Sequence, residues 1–400
     1  MAKNNNLTDF LKDVADAIRE KTGSEDLINP QDFSTQIRSL NVPPIISTIV
    51  INQNLTNPAE IISGDINGEA IKAIRKNSHR YLCKYTAENT MTVCQLDDNN
   101  SNYYADGTAA ILTGEEGDVF VKLPKFYYKA EETETDIWNI SFAYGSNPGT
   151  GWKKWEGIDL IGAYEAYVKD EKAYSVSGVE SSGRTSQLDF KNYSRNRGTG
   201  FTLNKLKHRN IINFLFYAQY GNTNSQAILG TGSTSNYKII GATNSLGMND
   251  TSVENKKSIN FFGLEGLHGD KHEWLDNVIN NKNVWSVTED DGSVRTISAG
   301  TNSGWITKIS IGEHLDITPV EVGDSSTAGL CDYYDTAFDN NLGIQIGGSA
   351  TIDANAGFAY VASYASVGYA AAAIGSRLAF RGNIIKETDT TTFKSLIPIG

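Results

Sequence analysis

Three cysteines in 400 residues, Cys83, Cys94 and Cys331, are too few for the disulfide framework on which small secreted domains depend. In YLCKYTAENTMTVCQL a two-residue turn at Glu88-Asn89 would set Cys83 opposite Cys94 across a hairpin, close enough for one bridge. In a reducing compartment the same pair reads as two buried thiols on adjoining strands. Positive charge is also short. Lys and Arg number 35 against 47 Asp and Glu, a formal net charge of −12, which disfavours nucleic acid and anionic bilayers as partners. No apolar run approaches the roughly 18 residues of a membrane helix, so no membrane insertion is expected. No charged segment followed by an apolar one opens the sequence, so the expectation is folding in a cytoplasm.

Catalytic signatures are equally scarce. No Gly-x-Ser-x-Gly elbow or Walker loop occurs, and the glycine runs GTGST and IGGSA lack the lysine or following helix that would cradle phosphate. The carboxylate pairs in EEGD, EETETD and EDDG sit among solvated loop residues, where a polar surface is their ordinary role. Five histidines are present, and only LHGDKHEW brings two together. Its His268, Asp270, His272 and Glu273 do not follow the His-Glu-x-x-His spacing, and no distant further ligand accompanies them. These readings lead to the expectation of no enzyme, no cofactor and no metal.

The remaining residues describe a turn-rich α+β protein of about two to four domains. In LTDFLKDVADAIREKTG, Phe10, Leu11, Val14, Ala17 and Ile18 follow helical spacing, with Thr8 as N-cap and Gly23 as stop. A shorter helix is predicted after Asn29-Pro30, with Phe33, Ile37 and Leu40 on one face and Pro43-Pro44 ending it. Residues 1–42 thus read as a helical attachment or oligomerisation module. From 43 to 130 the runs IISTIVIN, RYLCKYTA, TMTVCQL, AAILTG and DVFVKLPKFYYK predict the strands of a small β domain. Two strands are predicted around a turn at Lys169-Asp170-Glu171. A helix with Leu206, Ile211, Ile212, Phe214, Leu215 and Ala218 in phase, stopping near Gly221, should lay one broad face on a sheet.

Tyrosine is abundant, 19 residues beside 6 Trp, and GFAYVASYASVGYAAAA spaces Tyr360, Tyr364 and Tyr369 at intervals of four and five among small residues. That period suits neither an alternating strand nor a filled helix face, and Gly357, Val361, Val367 and Gly368 lower helix propensity. The segment is predicted to be an irregular ledge presenting tyrosines, whose rigid amphipathic rings bind sugars and proteins alike. Tyr360, Tyr364, Ser366 and Tyr369 are the predicted contact residues, joined by Tyr333 and Tyr334.

GLEGLHGDKHEWLDNV resembles the Glu-Trp signature of the formylglycine-generating-enzyme type of C-type lectin fold, through Gly263, Leu264, Leu267, Gly269, Glu273 and Trp274. IGSRLAFRG resembles its terminal strand through Gly375, Arg377, Leu378 and Ala379. The same fold serves the variable receptor-binding proteins of diversity-generating retroelements, whose variable residues lie just before that strand. Upstream segments, VKLPKFYYK among them, and the N-terminal module resemble tailed-phage fibre proteins, including those of crAss-like phages. The resemblance implies a C-type lectin-like domain over 131–400, displaying a Tyr/Ala/Ser-rich surface near 355–373 with Glu273, Trp274 and Arg377 as scaffold. It also implies a fibre protein on the virion surface, bound to other virion proteins of capsid or tail. Its partner would be a host cell-surface glycan or protein, and its state a homo-oligomer, a trimer favoured. A capsid-decorating head fibre is the alternative. Only Cys331 is available where the oxidases of this fold use cysteines. The Glu-Pro-Asn, Gln-Pro-Asp and Trp-Asn-Asp motifs of calcium-dependent lectins are missing, and Asp270 replaces the usual Asn.

Overall fold

A computed structural model describes residues 7–22, 29–33 and 42–399. The chain is a mixed α+β protein in which strands predominate. Helix α1 (Leu7–Thr22) opens the described residues. It buries Ala15 and Ile18 and half-buries Leu11 and Val14, whereas Phe10 and Ala17 of the predicted stripe are exposed. Thr8 lies inside the helix rather than at its cap. Asn29 does cap the following turn, accepting from the Gln31 N–H, but this turn is a 3-10 segment, Pro30–Asp32. Gly23, Ile37 and Leu40 lie outside the described residues.

A five-stranded sheet comes next, built from β1 (Ile45–Asn52) and β2 (Ile62–Gly64), then β6 (Phe126–Glu134), β7 (Ile137–Tyr144) and β8 (Lys153–Trp155). Its order is β2-β1-β7-β6-β8, and helix α2 (Glu69–Lys76) packs on β1 and β7. Strands β3 (His79–Ala87), β4 (Thr90–Gln95) and β5 (Asp118–Lys122) belong elsewhere. They join β9 (Asp159–Glu165) in a second, much longer sheet. The short hairpin β10 (Tyr167–Lys169) and β11 (Lys172–Tyr174) follows, turning at Asp170-Glu171 as predicted.

Helix α3 (Gln187–Arg195), β12 (Phe201–Leu203) and helix α4 (Leu206–Tyr220) precede α5 (Ser225–Leu229). A small sheet holds β13 (Thr251–Val253), β14 (Ser258–Phe261) and β15 (Leu264–Glu265). The rest of the long sheet comes from β16 (His272–Asn281), with β17 (Val284–Thr288) and β18 (Val294–Ser298) paired off its end. It continues with β19 (Gly304–Ser310), β20 (Thr318–Gly323), β21 (Tyr333–Thr336), β22 (Leu342–Ile346) and β23 (Val361–Ser363). Strands β24 (Ile374–Arg381) and β25 (Asn383–Glu387) complete it before helix α6 (Thr390–Ser395). The path runs β20-β19-β21-β23-β22-β16-β24-β9-β5-β3-β4-β25.

This pairing redraws the expected division. Residue 130 falls inside β6, and β25, from near the C-terminus, lies parallel to β4, Asn383 beside Thr90. Residues 43–130 therefore share hydrogen-bonded strands with the C-terminal region. The run AAILTG contributes only an isolated bridge at Ala109 rather than a strand. Helix α4 stops at Gly221 in the left-handed conformation, as predicted, but it is buried on nearly every side instead of one face. Its apolar residues enter one core with Leu275, Ile344 and Ile346, while Phe190 of α3 enters a second with Trp274, Leu378 and Phe380.

The cysteines of the β3–β4 hairpin do not meet. A bulge between Tyr85 and Ala87 shifts the register by one residue, so Cys83 pairs with Val93 and Cys94 with Leu82. A one-residue slip sends side chains to opposite faces, and the two thiols enter different cores, both free.

Arg377 on β24 is wholly buried. It grips Glu273 Oε1 of β16 through Nε at 2.9 Å and through its terminal nitrogen at 2.6 Å, and donates to Gly162 O of β9 at 3.0 Å and Glu265 O of β15 at 2.8 Å. Removing one partner of such a pair strands the other charge in a dry interior. Arg377→Ala should therefore cost about 3–5 kcal/mol, checked by the shift of its denaturation midpoint, with Arg377→Lys intermediate because an ammonium cannot reproduce the fork.

Candidate functional site

β21 lies between β19, antiparallel, and β23, parallel. Strand alternation sorts its tyrosines. Tyr334 turns inward, fully buried, and its hydroxyl donates to Gly300 O at 3.2 Å. Tyr333 is half-buried beside Trp305, to which it is paired across the strands, with ring centroids 5.5 Å apart and nearly perpendicular. Beyond the parallel pair, Ala337 N–H donates to Ser363 O at 3.3 Å. Phe338 and Tyr364 thus leave the sheet from the same end.

The ledge itself is irregular, as predicted, with β23 as its one short strand. Its backbone is held from below. Asn213 Nδ2 of α4 donates to Phe358 O at 2.7 Å and Arg209 to Tyr360 O at 3.3 Å, while the Ser225 hydroxyl of α5 accepts from Phe358 N–H at 3.0 Å. Asp332, just before β21, accepts the Ala359 N–H at 2.6 Å. Gly357 is required here, because a Cβ would lie 1.8 Å from Asp332 Oδ1. Further along, Gly343 N–H donates to Ala365 O at 2.9 Å, and Val367 N–H to Asn341 O at 3.2 Å. Between these anchors burial alternates: Ala365 and Val367 point in, Tyr364 and Ser366 out.

The predicted contact residues therefore divide. Tyr364 is 41% exposed, Tyr369 48%, and Ser366 is exposed as well. Tyr360 is 3% exposed, its ring 5.2 Å from the imidazole of His272. Burial pushes its phenol up and holds His272 down at about 4, so both are neutral. Tyr360 and Tyr334 are accordingly core residues, and their assignment as contacts is corrected: each precedes or occupies a paired strand whose inward side is packed. Burial pushes the Tyr364 phenol up, with smaller contributions from the Asp335 carboxylate and the Tyr369 phenol. The exposed group is thus Tyr364, Ser366, Tyr369 and the 70% exposed Phe338, with half-buried Tyr333, Trp305 and Asp335 beside it. The additions carried a legible signal: in YYDT, strand alternation places Asp335 with Tyr333 and against Tyr334.

The four ligand-type residues of LHGDKHEW disperse. His268 Nε2 bonds Gly230 O at 2.8 Å; Asp270 accepts the Lys238 N–H at 2.8 Å and the Ser181 hydroxyl at 3.2 Å; Glu273 holds Arg377; His272 faces Tyr360. Asp270 adopts the left-handed conformation (φ 52°) that its place after Gly269 demands. The Trp274 indole is fully buried over Gly343, where a Cβ would lie 2.6 Å from the ring. Glu273, Trp274 and Arg377 are all interior.

Two outcomes are expected. Tyr360→Ala should destabilise by about 3–5 kcal/mol, as large aromatic truncations do, whereas Tyr364→Ala should stay within about 0.5 kcal/mol; thermal melts of the two variants decide. Asp332 gives the second. Burial pushes its carboxyl up to about 8, against the pull of the Ala359 N–H and Arg209. Unfolded, an aspartate ionises near 3.9. Between these values the native state keeps a proton that the unfolded chain has lost, so stability from this group falls as pH rises from about 4 to 8. Asp332→Asn, which can still accept from Ala359, should flatten that decline, seen as a melting-temperature difference from wild type that grows with pH across the window.

No protein-family model and no curated protein matches the chain. Among solved structures it is similar to variants of a protein titled Major Tropism Determinant. The U1 variant is 12% identical over 77% of this chain and 73% of its own, with a TM-score of 0.32. The M1 variant is 13% identical with the same coverages and a TM-score of 0.31, and the P3c variant 12% identical over 76% and 72%, at 0.30.

Proposed function

We propose that this protein is a phage virion adhesin that binds a host surface molecule through the exposed Tyr364, Ser366 and Tyr369 and the half-buried Tyr333, flanked by Trp305, Asp335 and Phe338. One observation carries the reading: solvent-exposed aromatic side chains stand on an irregular segment whose backbone is fixed by buried partners. Aromatic rings lose little freedom on binding, and a fixed backbone lowers the ordering cost further. Such rings are the residue types that dominate interface energetics. Tyr360, packed against His272, supports the surface from beneath and does not touch the ligand.

In this reading the protein acts by binding, without catalysis, cofactor or metal. It sits on the virion surface as a homo-oligomer, a trimer favoured, whose multiplicity raises modest single-site affinity. Helix α1, with Leu7 and Phe10 exposed, would face other virion proteins. The test is binding of purified protein to intact candidate host cells, wild type beside a Tyr333/Tyr364/Tyr369 triple alanine variant. Saturable binding weakened at least about tenfold in the variant, at unchanged melting temperature, is the expected result. Equal binding by both proteins would remove the ledge from recognition; binding by neither would favour a capsid-decorating role.

A further inference from the structure

A second site lies on residues that the aromatic ledge does not use. A cleft of about 440 Å³ is lined by Thr113, Gly114, Glu115, Tyr167, Lys169, Asp170, Tyr174, Val176 and Val179. Its volume falls within the roughly 300–1,000 Å³ of small-molecule sites. The β10–β11 hairpin forms one wall. Tyr167 and Tyr174 are directly paired across it, so both rings stand on the same side. The hairpin is short and stiff, because Asp170 and Glu171 both take left-handed conformations in its two-residue turn (φ 50° and 55°).

Tyr174 is also fixed from outside the hairpin. The Arg197 guanidinium lies 4.1 Å from its ring centroid, and is itself anchored at 2.7 Å to both Asp118 Oδ2 and Ala173 O. Arg197 and Tyr174 line a further cavity of about 120 Å³ that shares Gly114, Glu115 and Val176 with the first and extends to Pro398 and Ile399. Tyr174, held by Arg197, thus lines both adjoining cavities.

Its chemistry selects a ligand class. Val176 and Val179 supply an apolar lining, two neighbouring tyrosines supply flat faces with hydroxyls, and the rim carries both signs of charge: Glu115 and Asp170 against Lys169. Across both cavities Glu115, Asp118 and Asp170 are balanced by Lys84, Lys169 and Arg197, so no net field attracts an ion, yet hydrogen-bond donors and acceptors remain for uncharged groups. We infer that this cleft binds a neutral oligosaccharide, whose C–H faces lie on Tyr167 and Tyr174 and whose hydroxyls bond Glu115, Lys169 and Asp170. Two adjoining cavities that share one aromatic wall suit a chain of sugars over a single ring.

The test uses ligand-observed saturation-transfer NMR on the full chain with cellotriose, maltotriose and tri-N-acetylchitotriose, and with trilysine and triglutamate as charged controls. Variants are Tyr167→Ala, which removes one stacking face, and Thr113→Trp, which fills the cleft from an exposed rim position. The expected result is saturation transfer to at least one neutral trisaccharide. Its affinity should drop at least tenfold in both variants and stay unchanged in Tyr364→Ala, with melting temperatures preserved. Transfer to none of the three trisaccharides at millimolar concentration, transfer insensitive to Tyr167→Ala and Thr113→Trp, or preference for a charged peptide would each overturn the inference. Because Tyr364→Ala addresses the ledge alone, loss of cell binding there and loss of sugar binding here are separate outcomes.

Discussion

The buried ion pair between Arg377 and Glu273 is the contact on which the rest of the long sheet depends. β16 and β24 are parallel neighbours at its centre, and the fork of Arg377 ties them to each other and to carbonyls of β9 and β15. Four strands from three separate parts of the sequence are thus fixed by one side chain. A carboxylate and a guanidinium cannot be left singly in such an interior, so their mutual satisfaction enforces this arrangement over alternatives in which the strands slide. The parallel register next to it, Trp274 beside Ser376, sets the indole over Gly343 and completes the second core.

From that centre the support passes outward to the ledge. β22 lies on the other side of β16, β23 on β22, and β21 on β23. Helices α4 and α5 then reach the ledge backbone with polar side chains, Arg209, Asn213 and Ser225, while Asp332 closes it from β21's approach. These bonds go to main-chain atoms. The path of residues 357–360 is consequently set by groups outside the segment, and the exposed side chains beyond it do not have to hold the chain in place. Burial of Asp332 and Arg209 beside one another without a direct bond makes this support sensitive to pH, since the carboxyl is held neutral by burial.

Local rules were legible in the sequence. The hairpin turns at Glu88-Asn89 and Asp170-Glu171, the helix from Leu206 to its stop at Gly221, and the irregular course of the Tyr/Ala/Ser run all follow from side-chain period and turn chemistry. Glu273, Trp274 and Arg377, assigned to the scaffold through a motif resemblance, lie in the interior. Tyr333 and Tyr334 show where such reading stops: adjacent identical residues differ completely in exposure, and only the existence of β21 says that one must face inward.

What the sequence determined by itself was the α+β character, the stiff turns, and a largely irregular tyrosine-bearing ledge, because these depend on neighbours a few residues apart. Tertiary structure alone decided that β3–β5 and β25 share a sheet with β16 and β24, that a bulge separates Cys83 from Cys94, and that Tyr360 packs on His272 while Tyr364 reaches solvent. Each of those outcomes is a matter of register between distant strands, and a one-residue change in register exchanges the buried and exposed faces.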